Sequence, residues 1–400
     1  MTHSEEESIV STTTRGRREG WRTLLAAPLS LAVALAFVAC GGDDNGIEGG
    51  SGAADVTTAT AEGQASGTLT ISNWPFYIDR NTVPEFEEES GLSVKYIEDV
   101  NDNVEFFGKM QPILDRGESG DRDIFVVTDW MAKRMYDLGY LQEFDQEAVQ
   151  PALDNLLPQL ESPAFDPDRS YSLPWQSGLA GLIVNRDEAP DVTSVNDLFD
   201  PKYKGRVTML SEMRDTVPLV MMADGVDPTN ASTEDWLAAI EKLSEAVDSG
   251  QIRRFTGNEY TRDLASGDAV AVIGWSGDAV QLQASDPAIE FRVPDEGCTL
   301  WSDNMVIPVG APNPTAAYEW MNYVYEPQNQ AQIADYNYYV TPVQGTQKVL
   351  QNQGSPAAKS ELVFPSEQYI AECVPQPEPP GDLEAVQEVE RAFQALVTGG

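Results

Sequence analysis

The chain has 400 residues, of which 41% are hydrophobic, and its formal net charge is −40 at pH 7. This length favours two domains, and the hydrophobic content is enough to build real cores. An excess of acidic residues repels nucleic acid and anionic lipid headgroups and attracts cations, so we exclude polyanionic partners, nucleic acid above all.

The first 39 residues are typical of an export signal. Arginines at positions 15, 17, 18 and 22 precede an apolar run over residues 24–39. This run is shorter than the about 20 residues of a membrane-spanning helix and fits a signal-peptide core. A Val-Ala-Cys tripeptide then resembles a bacterial lipobox, which predicts cleavage before Cys40 and lipidation of that cysteine. The paired arginines at 17 and 18 leave open whether export follows the twin-arginine or the general secretion route.

Removal of this leader would also remove His3, the single histidine of the chain. The mature protein would then have no Ser-His-Asp or Cys-His catalysis and no His-ligated zinc. The other two cysteines, Cys298 and Cys373, fit no metal motif by their spacing. In an exported protein they are either a disulfide pair or two buried free thiols.

Residues 40–66 are predicted to form a flexible tether, because they are rich in Gly, Ala, Thr and Asp and show no hydrophobic period. A chain of this length and composition spans roughly 30 Å. A lipid anchor followed by such a tether would hold the folded part at the extracytoplasmic face of the cell membrane, in the periplasm or at the cell surface.

Strands and helices alternate from residue 68 onward. The first predicted elements are a strand at 69–72, a helix at 82–90, a strand at 94–97, a helix at 101–116 and a strand at 124–127. This alternation predicts a parallel sheet with helices on its faces. Ligands bind beyond the carboxyl ends of the strands in such sheets, and both Trp74 and Trp130 directly follow a predicted strand.

Residues 174–184 lead into a new strand region at 181–184, where the chain is expected to cross into a second lobe. The further predicted elements are a strand ending at 210, a helix at 233–249, a buried strand at 269–274, a helix at 316–325 and a final helix at 383–396. Glu212 and Asp215 follow the first of these strands at a predicted helix start, where acidic side chains also favour the helix dipole.

The stretch over residues 300–308, LWSDNMVIP, is predicted to be a buried strand that leaves a loop. Side chains two apart on a strand share a face, so Trp301 and Asp303 point the same way. An indole beside a carboxylate is a small site for a cation. Because aromatic and acidic residues recur together elsewhere in the chain, we expect these segments to converge on one pocket for an organic cation. The alternative is a core tryptophan beside a solvated aspartate.

Four motifs follow one another along the chain. They are Asn73-Trp74, FDPKYKG at 199–205, Trp275-Ser276-Gly277, and Trp301-Ser302-Asp303 followed by Ile307-Pro308. In this order and spacing they resemble the periplasmic spermidine/putrescine-binding proteins of ABC transporters, over roughly residues 67–351. The resemblance implies an α/β, two-lobed periplasmic-binding-protein fold, in which each lobe is a mostly parallel sheet flanked by helices and the ligand cleft lies between the lobes. With it we assign residues 67–176 and 302–345 to lobe 1, and residues 177–301 and 346–400 to lobe 2.

The resemblance also implies ten ligand-binding residues, which are aromatic, acidic or hydroxyl-bearing. They are Trp74, Tyr77, Thr128, Trp130, Glu212, Asp215, Trp275, Trp301, Asp303 and Tyr339. Glu212 stands where the family has an aspartate, Trp130 stands where it has a tyrosine, and Pro75 replaces a common threonine. The last polar contact of the family has no match that we can place within residues 352–400.

These residue types suit a polyamine, which is an alkane chain that carries several ammonium groups. A buried ammonium group must be paired with a carboxylate. Glu212 and Asp215 lie one helical turn apart and are expected to clamp one ammonium group, while Asp303 takes another. The aromatic side chains add cation–π attraction of about 0.5–2 kcal/mol each. Asp278 is a further candidate acid for the site, but we expect it to be a helix start or a surface charge.

The resemblance implies a substrate-binding lipoprotein that captures spermidine or putrescine by hinge closure and delivers it to the permease subunits of an ABC transporter. We expect a monomer. We expect neither an enzyme nor a protein that needs a cofactor or a metal.

Other functions remain open on the residues alone. Another organic cation, such as betaine, choline or a guanidino compound, needs an aromatic cage and at most one acid, whereas three acids favour a di- or tri-cation. A glycoside hydrolase also uses paired carboxylates and tryptophans, but the lobe pattern and the lipoprotein leader argue against it. A ferric-ion binder is disfavoured, because the predicted mature protein has no histidine to serve as a ligand. A surface lipoprotein that binds no small molecule is the remaining alternative.

Overall fold

The computed structural model describes residues 57–399 as an α/β structure. The strands of this range are, in chain order, β1 (Thr58–Ala59), β2 (Thr68–Asn73), β3 (Ser93–Glu98), β4 (Ile124–Thr128), β5 (Glu143–Phe144), β6 (Leu173–Asn185), β7 (Val207–Leu210), β8 (Ile252–Thr256), β9 (Ala271–Trp275), β10 (Ile289–Arg292), β11 (Cys298–Val306) and β12 (Cys373–Pro375). The helices of the same range are α1 (Thr82–Ser90), α2 (Asn103–Leu114), α3 (Asp129–Asp137), α4 (Gln146–Asp154), α5 (Met213–Ala223), α6 (Thr233–Asp248), α7 (Tyr260–Ser266), α8 (Ser276–Gln283), α9 (Pro314–Val324), α10 (Pro327–Asn337), α11 (Thr346–Gln353), α12 (Glu367–Ile370) and α13 (Leu383–Gly399).

Ten of these strands form one mixed sheet, whose main order is β3-β2-β4-β11-β6-β9-β7-β8. The strands at each end of this order, β3-β2-β4 and β9-β7-β8, run parallel to their neighbours. The central strands β11 and β6 run antiparallel to each other and to β4 and β9. The sheet therefore has two parallel halves, one for each lobe, joined by two antiparallel strands.

The first half follows the predicted order. The strands predicted at 69–72, 94–97 and 124–127 are confirmed as β2, β3 and β4. Strand β4 reads IFVVT and is buried along its whole length, as expected when helices cover both faces of a parallel sheet. Helix α2 begins where the carboxylate of Asp102 accepts a hydrogen bond from the backbone N–H of Glu105, which caps the helix.

The two central strands carry the chain from one half of the sheet to the other. Strand β6 is 13 residues long and pairs with β11 over one part and with β9 over the other. The predicted lobe boundaries fall inside these strands. Ser177, the first residue assigned to lobe 2, lies opposite Ser302, where the chain is assigned back to lobe 1.

The end of the predicted tether belongs to the folded domain. Thr58 and Ala59 pair in parallel with Glu143 and Phe144 of β5, and Ala59 is buried. Its carbonyl accepts a hydrogen bond of 2.7 Å from the hydroxyl of Tyr318. The prediction of a flexible tether is therefore wrong for residues 57–66, because backbone pairing and one small buried side chain hold a segment that has no hydrophobic period.

The chain also returns to the second half later than assigned. Helix α11 and the 3-10 turn Pro356–Lys359 pack on α10, around a small cluster that includes Ala331, Leu350 and Val363. Residues 346–364, assigned to lobe 2, therefore pack with a segment assigned to lobe 1. The return is made by β12, which pairs with β11, and by α13, which packs on α6.

Cys298 and Cys373 are joined in a disulfide. Cys298 opens β11 and Cys373 opens β12, and the two residues face each other in the register of the parallel pair. The bond therefore ties the C-terminal part of the chain to a central strand of the sheet.

The leader over residues 1–39, lipidated Cys40 and the tether as far as residue 56 lie outside the described residues. Over residues 57–399, no helix has both the length and the apolar character needed to cross a membrane.

Candidate ligand-binding cleft

A cavity lies where the two halves of the sheet meet, with about 370 Å³ of space between its atoms, the open mouth included. Its lining is aromatic, acidic and amide-bearing. The lining residues are Trp74, Pro75, Tyr77, Asn103, Thr128, Glu212, Asp215, Asn258, Trp275, Trp301, Asp303, Tyr339 and Gln376. Nine of the ten predicted ligand-binding residues are among them, and Trp130 is not.

The sheet brings these residues together from distant parts of the chain. Trp74 directly follows β2, Thr128 ends β4 and Trp275 ends β9. Glu212 lies between β7 and α5, and Asp303 lies on the crossing strand β11. The carboxyl ends of strands in both halves thus meet at one cavity, which is where ligands bind in such sheets.

Asp215 is held in place by three donors. Its Oδ2 accepts a hydrogen bond from Trp275 Nε1 at 3.0 Å. Its Oδ1 accepts hydrogen bonds from Thr299 Oγ1 and Gln376 Nε2, both at 2.8 Å. Burial raises the pKa of Asp215, and the three hydrogen bonds oppose that rise. The carboxylate is therefore oriented by the protein itself.

Glu212 reaches across the cleft to the other half of the molecule. Its Oε1 accepts hydrogen bonds from the backbone N–H of Asn103 at 2.5 Å and from Asn103 Nδ2 at 2.9 Å. Burial raises the pKa of Glu212 well above its ordinary value, and the nearby carboxyl of Asp102 raises it further. A cationic ligand group would lower this pKa, because it favours the ionised form.

Asp303 lies on the face of β11 that is turned to the cavity. Its Oδ1 accepts a hydrogen bond of 2.8 Å from Thr128 Oγ1. Burial raises the pKa of Asp303 to about 7, and the hydrogen bond from Thr128 opposes this rise. At neutral pH both the protonated and the ionised forms of Asp303 are therefore populated, and a bound cation would favour the ionised form.

Aromatic rings form the walls between these acids. Trp74 and Trp275 meet edge to face, with 5.6 Å between ring centroids. Tyr77, Trp301 and Tyr339 form a second group, in which each pair of centroids is 5.1–6.2 Å apart. These faces and edges suit the methylene groups and ammonium groups of an organic cation.

Two glycines make room for this second group of rings. A Cβ on Gly178 would lie 2.4 Å from the Trp301 ring, and one on Gly277 would lie 2.3 Å from the carbonyl oxygen of Asn337. Gly277 belongs to the Trp-Ser-Gly motif that follows β9. The motif therefore supplies both a wall residue and the space behind it.

Trp130 lies outside the lining because other partners occupy its ring. The guanidinium of Arg214 is 3.7 Å from the ring centroid, and that of Arg134 is 5.1 Å away. Arg214 is almost fully buried and pairs with Glu378 at 2.6 Å and with Glu390 at 3.2 Å. Trp130 thus makes a cation–π contact with the protein's own arginines.

Asp278 is not a surface charge, although it does lie in the first turn of α8 as expected. Only 2% of its surface is exposed. Its Oδ2 accepts hydrogen bonds from Asn258 Nδ2 at 2.9 Å and from the Tyr260 hydroxyl at 2.7 Å. Its Oδ1 accepts one from the Tyr339 hydroxyl at 2.9 Å. Asp278 is therefore a buried fourth acid that positions the wall residue Tyr339.

Sequence reasoning missed three amide residues of the lining: Asn103, Asn258 and Gln376. Gln376 comes from the part of the chain where no contact could be placed. It follows Cys373 by three residues, and its backbone N–H donates to the carbonyl of Leu300 at 3.0 Å. The pairing of Cys298 with Cys373 was the one signal in the sequence that could have indicated Gln376. A disulfide between these cysteines places the segment after Cys373 beside the LWSD stretch.

Among residues 57–399, no group of three or more His, Cys, Asp or Glu side chains is arranged to hold a metal ion. The arrangement of acids and aromatic rings instead suits an organic cation.

Two sheet halves, two crossing strands and a cavity between them define a two-lobed periplasmic binding protein. The chain belongs to the bacterial extracellular solute-binding protein family, whose model matches residues 81–360.

Relatives with assigned ligands extend over most of the chain. The spermidine/putrescine-binding periplasmic protein of Escherichia coli (strain K12) is 24% identical over 352 residues, which are 87% of this chain and 97% of that protein. The putrescine-binding periplasmic protein PotF of the same strain is 30% identical over 316 residues, 73% of this chain and 82% of that protein.

A solved structure shares the fold. It is the spermidine/putrescine ABC transporter substrate-binding protein PotD from Streptococcus pneumoniae strain Canada MDR_19A. Its TM-score is 0.65 at 23% identity, with 83% of this chain and 99% of that chain covered.

Proposed function

We propose that this protein binds a polyamine, spermidine or putrescine, and delivers it to an ABC transporter. The observation that carries the proposal is the composition of the cavity. Glu212, Asp215 and Asp303 line it, aromatic rings lie between them, and no lysine or arginine is among its described lining residues. Such a cavity is strongly selective for an extended cation that carries more than one charge.

The comparisons support the same cargo. Relatives named for spermidine and putrescine match most of the chain. The predicted acids and all but one of the predicted aromatic residues line one cavity. A quaternary ammonium ligand such as betaine needs an aromatic cage and fewer acids, so it is the weaker candidate.

Capture follows hinge closure about the crossing strands β6 and β11. The closed form then docks on the permease subunits, and the protein itself carries out no chemical reaction. The protein is exported as a monomer and is held by a lipid on Cys40 at the extracytoplasmic face of the membrane. The export signal, the lipobox and the family of solute-binding proteins support this placement.

Isothermal titration calorimetry with putrescine, spermidine and betaine tests the proposal. We expect 1:1 binding of a polyamine with a submillimolar or lower Kd and a much weaker response to betaine. Binding of betaine alone would favour the quaternary-ammonium function. A folded protein that gives no heat with any of the three would refute the polyamine assignment.

A further inference from the structure

Asn103 connects two acids of the cavity that lie on opposite sides of the cleft. Its Nδ2 donates to Glu212 Oε1 at 2.9 Å and to Thr128 Oγ1 at 2.7 Å. Thr128 Oγ1 in turn donates to Asp303 Oδ1 at 2.8 Å. These four residues form one continuous chain of hydrogen bonds from Asp303 to Glu212.

We propose that Asn103 is a positioning residue that couples recognition of the ligand's charges to closure of the lobes. The inference rests on the proposed function for the identity of the ligand. It adds a residue that the sequence comparison did not select, and it gives that residue a role in the conformational change as well as in the lining.

The backbone contributes to the same contact. Asn103 is the first residue of α2, so its N–H has no partner within the helix. That N–H donates to Glu212 Oε1 at 2.5 Å, at the end of α2 that carries partial positive charge. Glu212 directly precedes α5 but makes no side-chain capping bond to that helix. Its carboxylate is therefore turned away from its own helix and toward the other half of the molecule.

An amide suits this position better than either a hydrophobic or an ionisable side chain. Asn103 Oδ1 accepts a hydrogen bond of 3.2 Å from the backbone N–H of Thr128, while both hydrogens of Nδ2 are donated. The side chain thus uses both of its donor hydrogens and its acceptor oxygen without adding charge. An aspartate here would place a second carboxyl against Glu212, directly after Asp102, the N-cap residue of α2.

The coupling follows from where the two acids are attached. Thr128 ends β4 of the first half and lies opposite Asp303 on the crossing strand β11, whereas Glu212 follows β7 of the second half. Opening the cleft separates Asn103 from Glu212 and so breaks two hydrogen bonds to a carboxylate. A ligand bound to both acids can dissociate only after this separation. Asn103 therefore helps to set the dissociation rate.

The test combines Asn103→Ala with a direct measurement of the distance between the lobes. Spin labels at Glu88→Cys in α1 and Glu241→Cys in α6, both exposed positions, report that distance by pulsed EPR. We expect Asn103→Ala to shift the ligand-free distribution toward longer distances. In stopped-flow experiments with putrescine and spermidine we expect its dissociation rate to rise about 10- to 100-fold, with the association rate changed by less than about threefold.

Asn304→Ala is the matched control for loss of a buried amide. Asn304 Nδ2 donates to Asp129 Oδ1 at 2.6 Å, Asn304 is fully buried, and it does not line the cavity. This variant should lower the thermal stability while leaving the distance distribution and the dissociation rate unchanged.

Asn103→Asp separates positioning from simple packing, because it keeps the size of the side chain. Its carboxylate would lie within hydrogen-bonding distance of Glu212 and Thr128, and Asp303 lies one hydrogen bond further on. Asp102 and Asp215 are the other acids around Glu212. Ionised, it repels them, and protonated, it can donate again. We therefore expect the ratio of variant Kd to wild-type Kd to shrink by about tenfold or more between pH 8 and pH 6.

The outcomes separate this inference from the proposed function. Unchanged lobe distances and unchanged dissociation in Asn103→Ala would overturn the inference even if polyamine binding stands. A protein that binds no polyamine but opens in Asn103→Ala would overturn the proposed cargo and support Asn103 as a closure residue. A penalty in Asn103→Asp that is the same at both pH values would also contradict the role described here.

Discussion

The indole N–H of Trp275 donates to Asp215 Oδ2 at 3.0 Å, so an acid and an aromatic wall of the cleft are fixed to each other. Thr299 and Gln376 hold the other oxygen of the same carboxylate. An acid that is oriented before the ligand arrives loses little conformational entropy on binding. The cleft therefore presents at least one preorganised carboxylate to an incoming ammonium group.

Replacing Gln376 tests this preorganisation. Gln376→Leu removes one donor from Asp215, and we expect it to weaken polyamine binding by about 1–3 kcal/mol. Because that donor lowers the pKa of Asp215, the loss should be larger at pH 6 than at pH 8. Calorimetric titration at the two pH values measures both effects.

Gln142→Leu is the matched control. Gln142 Nε2 also makes one hydrogen bond, of 2.9 Å to the carbonyl of Pro308, and Gln142 does not line the cavity. Equal losses of affinity in both variants would show that the effect of Gln376 is not specific to Asp215.

Asp303 should carry a large share of the affinity. Asp303→Asn keeps the shape of the side chain but removes its charge, and we expect Kd to rise about 30-fold or more, which is about 2 kcal/mol. Asp129→Asn provides the comparison, since Asp129 is a partly buried acid next to Thr128 that lies outside the lining. Its effect on Kd should stay within about threefold. Polyamine affinity that survives in Asp303→Asn would remove this acid from the site.

Polyamine binding should release protons and weaken as the pH falls through 7. Burial raises the pKa of Asp303 to about 7 in the ligand-free protein, and a bound ammonium group needs the ionised form. A carboxyl whose pKa is raised by folding stabilises the folded ligand-free protein when it is protonated, and that stability is lost as the pH rises through 7. The increase in Tm caused by the ligand should therefore be larger at pH 8 than at pH 5.5.

Calorimetry in buffers of different ionisation enthalpy counts the released protons. We expect a positive release at pH 7 that becomes smaller in Asp303→Asn. Binding without any proton release at this pH would mean that Asp303 is already fully ionised before the ligand binds.

The disulfide between Cys298 and Cys373 should stabilise both the fold and the site. The bonded cysteines are 75 residues apart in sequence, for which the chain-entropy estimate is about 4.5 kcal/mol. The double variant Cys298→Ser with Cys373→Ser should have a lower Tm than the wild type. Its polyamine affinity should also fall, because β12 holds the segment that carries Gln376.

A reductant should lower the Tm of the wild-type protein and leave that of the double serine variant unchanged. If thiol titration shows that the bond is reduced and the Tm is still unaltered, the disulfide contributes nothing to stability.

Local rules were enough to predict that several of the site residues lie together at one cavity. Trp74, Thr128 and Trp275 all stand at carboxyl ends of strands, and the topology of an α/β sheet brings such ends together. The alternation on β11 placed Trp301 and Asp303 on one face. Resemblance to a known family then selected these residues from the other aromatic and acidic residues of the chain.

Contacts between distant segments could not be predicted in the same way. Nothing near Trp130 indicates that Arg214 will occupy its ring, since the two residues meet only after both halves have folded. Asp278 was expected at a helix start, yet its burial depends on two distant segments, one with Asn258 and Tyr260 and the other with Tyr339. Asn103 lay inside the helix predicted at 101–116, and no local signal marked it out.

The limits of the domain were also hard to predict. The flexible tether was predicted from the side-chain composition. Residues 57–59 are instead held by backbone hydrogen bonds to β5, which composition does not reveal. Residues 346–364 pack on α10 through small apolar side chains such as Ala331 and Ala334, a pattern too weak to indicate which lobe they join.

A crystal structure of the protein grown with excess spermidine would show where the cargo binds. We expect one spermidine in the cavity, with one amine nitrogen within hydrogen-bonding distance of Asp303 and another within reach of Glu212 or Asp215. The methylene groups should lie among the rings of Trp74, Trp275 and the second aromatic group. A polyamine bound elsewhere, or a closed cavity that holds none at millimolar spermidine, would contradict this expectation.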